Sequence, residues 1–327
     1  MCKIVQRMLV LAIPAVAFSL AAAAPAKAQA QGSFERTLKV TGPVDLEIRS
    51  GSGSIRVTPG SGDTVKISAR IRSGRSWFSS SAADRIREIE KNPPIAQSGN
   101  SIRVGGETDR SLFRNISISY DVTVPSRTRL DARTGSGSVD VGDLEGAVEA
   151  HSGSGSLDIG RVAGPVVART GSGSIDVRGA QSLEARAGSG SIKVTGIAGA
   201  VTAHSGSGAV RVEHVGRGDL DVSSSSGHVT VTGVDGAARV SSSSGGVDVE
   251  GRPSGPWDIH SSSGSIVLRV PKDAAFELDA RVSSGGIDLS HPVTLSGRVD
   301  RRRVQGQVRG GGPLVAVRSS SGGITIE

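Results

Sequence analysis

A unit of about 18 residues repeats through most of this chain and constrains its fold more than any other feature. Each unit carries a Gly/Ser-rich run followed by alternating apolar and polar residues, as in TGSGSVDV, HSGSGSLDI and RTGSGSIDV. A fixed period of this size indicates a stack of similar units, because one unit alone cannot bury its apolar side chains.

One glycine in each unit sets the register of the repeat. These glycines are Gly137, Gly155, Gly173, Gly190, Gly208, Gly227, Gly245, Gly264 and Gly285, with an earlier unit at Gly53 and a later one at Gly322. The residues two and four positions after each glycine are Val, Ile or Leu, and the residue between them is mostly polar. Another apolar pair precedes the glycine, as Val148 and Ala150 precede Gly155. Each unit is therefore predicted to hold two short strands with one buried face.

The period predicts an all-β fold, a single-stranded β-solenoid (parallel β-helix) with about 18 residues per coil. Equivalent strands would stack in parallel about 4.8 Å apart. An antiparallel meander or sandwich is the alternative, since strands every 8 to 12 residues also suit those folds. The solenoid is favoured because equivalent side chains recur at the full unit. A right-handed coil is expected by analogy with right-handed crossovers.

The corner between the two strands carries a serine directly before each register glycine. These serines are Ser136, Ser154, Ser172, Ser189, Ser207, Ser226, Ser244, Ser263 and Ser284. We expect their hydroxyls to bond to nearby backbone and the glycines to adopt positive φ. A row of nucleophilic serines is disfavoured, because nucleophilic catalysis needs one activated site.

The N-terminal segment has the pattern of a secretory signal peptide. Lys3 and Arg7 precede an apolar stretch at residues 8–24, and two Ala-x-Ala cleavage patterns follow at residues 26–30. An uncleaved membrane anchor is the alternative. We predict a signal peptide at 1–28 and a β-solenoid domain at 29–327, exported to the periplasm, the outer-membrane surface or the extracellular space. No stable membrane span is expected after signal removal.

Cysteine content and charge restrict the partners of the exported chain. Cys2 is the only cysteine and lies within the predicted signal peptide, so neither a disulfide nor thiol chemistry is expected. The formal net charge of +7 falls to +4 once Lys3, Arg7 and Lys27 are removed. This excess is mild, and nucleic acid is not an expected partner.

Charged residues recur in two columns on the first strand of each unit. Basic residues lie four positions before the register glycine: Arg49, Arg133, His151, Arg169, Arg186, His204, His260, Arg281 and Arg318. Acidic residues lie two positions earlier: Glu47, Asp131, Glu149, Glu184, Asp221, Asp258 and Asp279. The pattern favours a self-neutralising solvated face. The alternative is a basic stripe that binds an anionic polymer.

Two segments interrupt the repeat and are predicted to be side excursions, at about 73–94 and 290–312. The first contains Trp77 and Phe78 before a predicted helix at residues 84–91, which would cap an end of the coil or bind a partner. The second is rich in arginine and fills a gap of about two units before Gly322. Its members Arg298, Arg301, Arg302, Arg303 and Arg309 are the best candidates for contact with an anionic partner.

No catalytic, cofactor or metal site is predicted. His151, His204 and His260 share a column, but successive members lie three coils, or about 14 Å, apart and could not share one ion. Acidic residues recur as column members instead of forming one acid/base cluster, and aromatic residues make up only 2% of the chain. A non-enzymatic protein is therefore favoured over a polysaccharide-processing lyase or hydrolase with a parallel β-helix.

The chain resembles the "putative adhesin" β-solenoid family of bacterial envelope proteins. The resemblance rests on the SGSGSI-x-V units, on ISISYDVTVP at 116–125, on VPKDAAFELDARVSSGGIDL at 270–289 and on GGGPLVAVRSSSGGITIE at 310–327. It implies a cell-envelope protein and supplies no catalytic residues. The expected function is an exported scaffold or adhesin-like protein that binds envelope polysaccharide or an envelope protein.

Overall fold

The described chain is almost entirely β-structure, wound into one stack of coils. The structure is a computed structural model of the 327-residue chain, and it describes residues 30–74, 79–106, 112–290, 293–295 and 300–327. The predicted signal peptide at 1–28 lies outside the described residues, as do Trp77, Phe78 and Arg298.

The described residues form one helix and a series of short strands. The helix α1 spans Ser79–Lys91. The strands before the regular repeat are β1 (Gln31–Lys39), β2 (Val44–Ser50), β3 (Ile55–Gly60), β4 (Thr64–Ser73), β5 (Ile95–Ser98), β6 (Ser101–Gly105) and β7 (Ile116–Pro125). Those of the regular repeat are β8 (Thr128–Thr134), β9 (Val139–Val141), β10 (Val148–Ser152), β11 (Leu157–Arg161), β12 (Val166–Thr170), β13 (Ile175–Gly179), β14 (Leu183–Ala187), β15 (Ile192–Ile197), β16 (Val201–Ser205), β17 (Val210–His214), β18 (Leu220–Ser224), β19 (Val229–Ser242), β20 (Val247–Ser261) and β21 (Ile266–Arg269). The last strands are β22 (Phe276–Val282), β23 (Ile287–Leu289), β24 (Val293–Leu295), β25 (Arg303–Val308), β26 (Leu314–Ser319) and β27 (Ile324–Ile326).

Equivalent strands of successive units pair in parallel and form two ladders, which confirms the β-solenoid. The first ladder contains β10 and its equivalents, and the second contains β11 and its equivalents. In the second ladder, Leu157 lies opposite Val139 on one side and Ile175 on the other. β19 and β20 are long because each continues from the second ladder around a corner into the first. The antiparallel meander is therefore wrong for the repeat.

The core consists of the inward-facing side chains of both ladders. Val139, Leu157 and Ile175 are at most 1% exposed, whereas the aspartates between the apolar residues of these strands are partly exposed. Alanine alternates with larger residues on the first ladder, as Ala150 follows Val148, and both are buried. The inside and outside positions therefore agree with the sequence pattern.

A buried hydroxyl, three residues before the register glycine, joins most corners to the neighbouring coil; Ala187 and Val282 take this position before Gly190 and Gly285. The Ser152 hydroxyl donates to the Gly137 carbonyl at 2.9 Å and accepts from the Gly155 N–H at 2.8 Å. The same pair of bonds is made by Thr134, Thr170, Ser205, Ser224, Ser242, Ser261 and Ser319. The serines directly before the glycines, such as Ser154, are exposed. The prediction placed the hydroxyl ladder two residues too late.

The register glycine is required for close approach between coils. A Cβ on Gly155 would lie 1.9 Å from the carbonyl oxygen of Gly137 in the preceding coil. The expected positive φ is found only at Gly285 among the glycines that set the register in the described repeat. Glycine is therefore required at the corner because it lacks a side chain, and not because it permits an unusual backbone angle.

The N-terminal end of the stack does not follow the order of the chain. β2 lies between β6 and β8, and β3 lies between β7 and β9. The coil formed by β2 and β3, which comes early in the sequence, therefore lies inside the stack between strands that follow it in the sequence. Antiparallel strands complete this end, since β5 pairs with β6, β4 pairs with β7, and β1 pairs with β4.

The helix predicted in the first excursion is present and covers β1 and β4 at the same end. It begins five residues before the predicted start, and Ile86 and Ile89 are buried on one face as expected. The Glu90 carboxylate accepts a hydrogen bond from the Ser33 N–H at 2.8 Å, which fixes the helix on β1. The described part of the excursion therefore caps the solenoid.

The C-terminal end is rearranged in a corresponding way. β26 lies between β20 and β22, and β27 lies between β21 and β23. The unit around Gly322 is therefore not the outermost coil, although it comes last in the sequence. The segment predicted as a second excursion contains β24 and β25, which extend the first ladder by antiparallel pairing onto β22.

Replacing Ile175 with Asp should unfold several coils, because the substitution places an unpaired charge in a dry core. We expect a loss of about 4 kcal/mol or more in the free energy of unfolding. Urea denaturation followed by circular dichroism measures this loss. The control is Asp176→Asn on the neighbouring outward position, which should stay close to the parent. An unchanged midpoint for Ile175→Asp would contradict the stacking of the inner column.

The hydroxyl ladder can be tested at a position where the chain lacks it. Ala187 occupies the hydroxyl position before Gly190 and is buried. Ser205→Ala removes the bonds to the Gly190 carbonyl and the Gly208 N–H, and should cost about 1–3 kcal/mol. Ala187→Ser should add the missing bonds and stabilise by about 0.5–1.5 kcal/mol. Denaturation curves of both variants give the two changes in the free energy of unfolding. If both substitutions change it in the same direction, this role of the hydroxyl is refuted.

Candidate binding site: the C-terminal arginine cluster

The outer face of the first ladder carries the predicted charge columns, and these columns largely neutralise one another. Arg133 forms ion pairs with Asp131 at 2.8 Å and with Glu149 at 2.9 Å. Glu184 accepts from Arg169 at 2.7 Å and lies 3.4 Å from Arg186. These contacts confirm the self-neutralising face expected from the sequence.

The ion pairs hold two column carboxyls in their ionised form. A hydrogen bond from Arg169, together with the nearby charges of Arg169 and Arg186, lowers the pKa of Glu184 despite its partial desolvation. The pKa of Glu149 is lowered first by its hydrogen bond with His151 and then by the charge of Arg133. Both carboxylates are therefore structural partners of cations and are poorly suited to general acid catalysis near neutral pH.

This arrangement makes stability depend on pH in a defined direction. A glutamate with a lowered pKa in the folded state stabilises the fold above its ordinary pKa of 4.5. That contribution is lost as the pH falls through the folded pKa. The Glu184→Gln variant lacks this carboxyl, so its free energy of unfolding should fall less than that of the parent below pH of about 4.5. The difference should be no more than about 1 kcal/mol, because the ion pair is exposed.

Urea denaturation at neutral pH and at about pH 3 measures the effect of Glu184→Gln. The control is Glu213→Gln, since Glu213 is exposed and has no ion-pair partner within the described part of the chain. An identical pH slope for Glu184→Gln and the parent would contradict the assigned ion pair.

Arg301 and Arg302 form the tip of a tight turn at the C-terminal end of the stack. The turn is closed by two backbone hydrogen bonds, from Asp300 N–H to the Arg303 carbonyl and from Arg303 N–H to the Asp300 carbonyl, at 3.3 and 3.1 Å. Arg301, Arg302 and Arg303 are all exposed. The structure therefore brings three of the five predicted arginines together.

Arg303 extends a row of basic side chains that crosses the ends of four neighbouring strands. The antiparallel return of β25 places Arg303 opposite Arg281. Arg281 lies opposite Arg318, and Arg318 lies opposite His260. With strands about 4.8 Å apart, the row is about 14 Å long. We call Arg281, Arg301, Arg302, Arg303 and Arg318 the C-terminal arginine cluster.

Acidic partners compensate only part of this cluster. Asp279 accepts two hydrogen bonds from Arg281, at 2.9 and 2.7 Å, and Asp258 accepts one from Arg318 at 3.0 Å. Arg303 instead donates to the neutral side chain of Gln305 at 2.9 Å. Arg301 and Arg302 have no acidic partner among the residues that the structure describes. The cluster therefore offers several guanidinium groups for carboxylate, phosphate or sulfate.

Arg309 is not part of the cluster, contrary to the prediction. It follows the opposite end of β25, about 20 Å from Arg303 at the usual strand rise. Its Nε donates to the Lys272 carbonyl at 2.5 Å. Sequence analysis assigned Arg281 and Arg318 only to the long column, because nothing in the sequence pattern shows that β25 returns beside them. Arg298, Trp77 and Phe78 lie outside the described residues.

Two depressions on the solenoid surface are shallow and follow its axis. One, of about 660 Å³, runs along the basic column and the glycine corners from His151 to His204. Another, of about 530 Å³, runs beside the first ladder from Ala200 to Leu314 and reaches Arg318. Across the described ranges, no group of three or more His, Cys, Asp and Glu side chains is arranged to hold a metal ion. The surface therefore offers extended contact faces.

Comparisons with known proteins give a family match along most of the chain. The sequence model of the family described as Toastrack DUF4097 matches residues 37–327. The chain has no match among curated proteins.

Similar solved structures include two proteins from Parabacteroides distasonis ATCC 8503 and one from Bacteroides fragilis NCTC 9343. The first is described as a putative adhesin, with 10% identity, coverage of 90% of this chain and 97% of that chain, and a TM-score of 0.37. The second is described as a putative lipid binding protein, with 14% identity, coverage of 90% and 96%, and a TM-score of 0.34. The Bacteroides protein is described as a putative adhesin, with 13% identity, the same coverage and a TM-score of 0.33. Likenesses this weak carry no functional argument.

Proposed function

Since this chain belongs to the Toastrack DUF4097 family, we propose that it is an exported, non-enzymatic scaffold or adhesin-like protein of the cell envelope. Membership confirms the family expected from the repeat motifs, and the family description names no activity. The proposed role is to present long β-solenoid faces to an envelope polysaccharide or an envelope protein.

The observation that carries this proposal is the use of charged residues as repeating members of ion-paired columns. An enzyme that cleaves a polysaccharide needs a local constellation of acid and base with distinct protonation states. On the outer face of the first ladder, carboxylates such as Glu149 and Glu184 instead have lowered pKa values and bind neighbouring cations. A repeating, solvated face suits extended contact with a polymer or a protein.

Export is proposed from the N-terminal sequence pattern at residues 1–28. Positive residues, an apolar stretch and small residues at a cleavage site are the features that a secretory signal peptide needs. No helix within the described ranges is long and apolar enough to cross a membrane. The proposed destination is the periplasm, the outer-membrane surface or the extracellular space.

The proposed contact for an anionic partner is the C-terminal arginine cluster. Its uncompensated members are Arg301, Arg302 and Arg303, whereas most column arginines have a carboxylate beside them. Guanidinium groups match the geometry of carboxylate and phosphate, and an exposed cluster attracts a polyanion over the Debye length of about 8 Å. Envelope polymers commonly carry such anionic groups. A nucleic-acid partner is not proposed.

Changing Arg301, Arg302 and Arg303 together to Ser should weaken binding to anionic polymer and leave the fold intact. Immobilised polygalacturonate and an envelope extract from the source cell are suitable probes. Parent binding should fall as salt rises past about 0.15 M, because exposed charges are then screened. We expect the variant to lose most of this salt-sensitive binding.

The matched control removes the same charge elsewhere, by changing Arg70, Arg178 and Arg252 to Ser. Each of these arginines already forms an ion pair with an aspartate. If both triple variants bind equally, net charge and not the cluster determines binding. Turnover of a polysaccharide panel by the purified protein would instead support the alternative function, a polysaccharide-processing β-helix enzyme.

A further inference from the structure

The coil formed by β26 and β27 is inserted into the stack and does not end it. On one side it pairs in parallel with β20 and β21, and on the other with β22 and β23. The inserted coil, Leu314–Glu327, therefore occupies a slot between two coils that precede it in the sequence.

Backbone hydrogen bonds hold this coil on both sides. Toward the preceding coil, the Ile266 N–H donates to Gly323 and the Glu327 N–H donates to Leu268, both at 2.9 Å. Toward the outer coil, the Ile324 N–H donates to the Gly286 carbonyl at 3.0 Å. The core side chains Val315, Val317 and Ile324 are fully buried. The slot is thus a complete binding site for one coil of this sequence.

The connection between β21 and β22 is long enough to pass the inserted coil. The register step from Gly264 to Gly285 is 21 residues, longer than any other in the regular repeat. Residues 270–275 connect β21 to β22, and this connection spans two coil heights, or about 9.6 Å. The longer connection carries the outer coil past the inserted one.

A glycine-rich hinge joins the inserted coil to β25. The hinge comprises residues 309–313, with the sequence Arg-Gly-Gly-Gly-Pro. Arg309, Gly310 and Gly311 adopt positive φ values of 50°, 90° and 84°, and the Gly311 N–H donates to the Val308 carbonyl at 3.1 Å. Arg309 is strained in this conformation, because its side chain disfavours the left-handed region. The closed coil is therefore reached through a tight, strained turn.

We propose that the slot is an interaction site for a second copy of this chain, which docks by exchanging the coil Leu314–Glu327. The partner's coil makes the same hydrogen bonds and buries the same side chains, so the exchange loses no contacts. The balance between closed and exchanged forms then depends on hinge geometry and protein concentration. Exchange joins two solenoids through their C-terminal ends.

The N-terminal end of the stack also contains an enclosed coil, but this coil is held differently. The coil of β2 and β3 is also enclosed on both sides, but β1 precedes it and β4 follows it in the capping sheet. Its release would require both capping strands to move. The coil Leu314–Glu327 is instead joined to β25 through the glycine-rich hinge, and no capping strand lies between them, which makes this coil the exchangeable element.

Shortening the hinge tests this proposal. Deleting Gly310–Gly312 leaves three Cα–Cα steps between Val308 and Leu314, or about 10–11 Å when fully extended. That length is too short to arch over β22, since the straight separation of two strand spacings is already about 9.6 Å. Size-exclusion chromatography with light scattering should give about twice the monomer mass, with native circular dichroism. A variant with three glycines inserted in the hinge is the control and should remain monomeric.

A disulfide between chains identifies the contact. Ser262 and Ser320 directly follow Ser261 and Ser319, which are paired at the ends of the neighbouring strands β20 and β26. In a Cys2→Ser background, one chain carries Ser262→Cys and the other carries Ser320→Cys, and the two are unfolded in urea and refolded together. Exchange should give a covalent dimer through residues 262 and 320, identified by mass spectrometry after oxidation.

The cysteine experiment is performed with both the shortened and the natural hinge. A folded monomer from the shortened chain, or a dimer without the 262–320 disulfide, would overturn the proposal. If the shortened chain fails to fold, the natural-hinge pair decides: a 262–320 disulfide supports exchange, and its absence after co-refolding refutes it.

Discussion

The bonds made by one buried hydroxyl at most corners of the repeat hold neighbouring coils in register. Ser152 satisfies a glycine N–H in its own coil and a glycine carbonyl in the preceding coil, at a place where neither group could be left unpaired without cost. The glycine beside it permits this approach, because any Cβ would overlap the neighbouring carbonyl. Parallel pairing, the inner apolar columns and the outer charge columns all depend on this fixed offset between coils.

A fixed offset has an electrostatic consequence, because it stacks equivalent charges about 4.8 Å apart. The chain offsets repulsion within the basic column by placing carboxylates beside it, as Glu184 lies between Arg169 and Arg186. The compensation weakens where the repeat stops. There the antiparallel strand β25 brings Arg303 beside Arg281, and its nearest polar partner is the neutral Gln305. The proposed anion contact thus arises where the periodic arrangement ends.

Both ends of the stack also limit the exposure of strand edges, which would otherwise recruit other chains. α1 and the antiparallel strands β1, β4 and β5 complete the N-terminal end, and β24 and β25 extend the first ladder at the other. Each end encloses a coil that lies outside its sequential order. Each enclosed coil is therefore paired on both sides. At the C-terminal end, the enclosed coil is also the element proposed for exchange between copies.

The sequence by itself determined the local periodic features: two strands per unit, Leu157 and Ile175 in one buried column, charged residues outside, and Ile86 and Ile89 on one helix face. These follow from side-chain spacing alone, because alternation and period are local properties of the chain. Only the tertiary structure decided which hydroxyl bridges the coils, that Arg309 lies far from Arg303, and that the coil containing Gly322 precedes the coil containing Gly285 in the stack. Those outcomes depend on pairing between distant strands with nearly identical sequences, and a repeat pattern cannot distinguish one such neighbour from another.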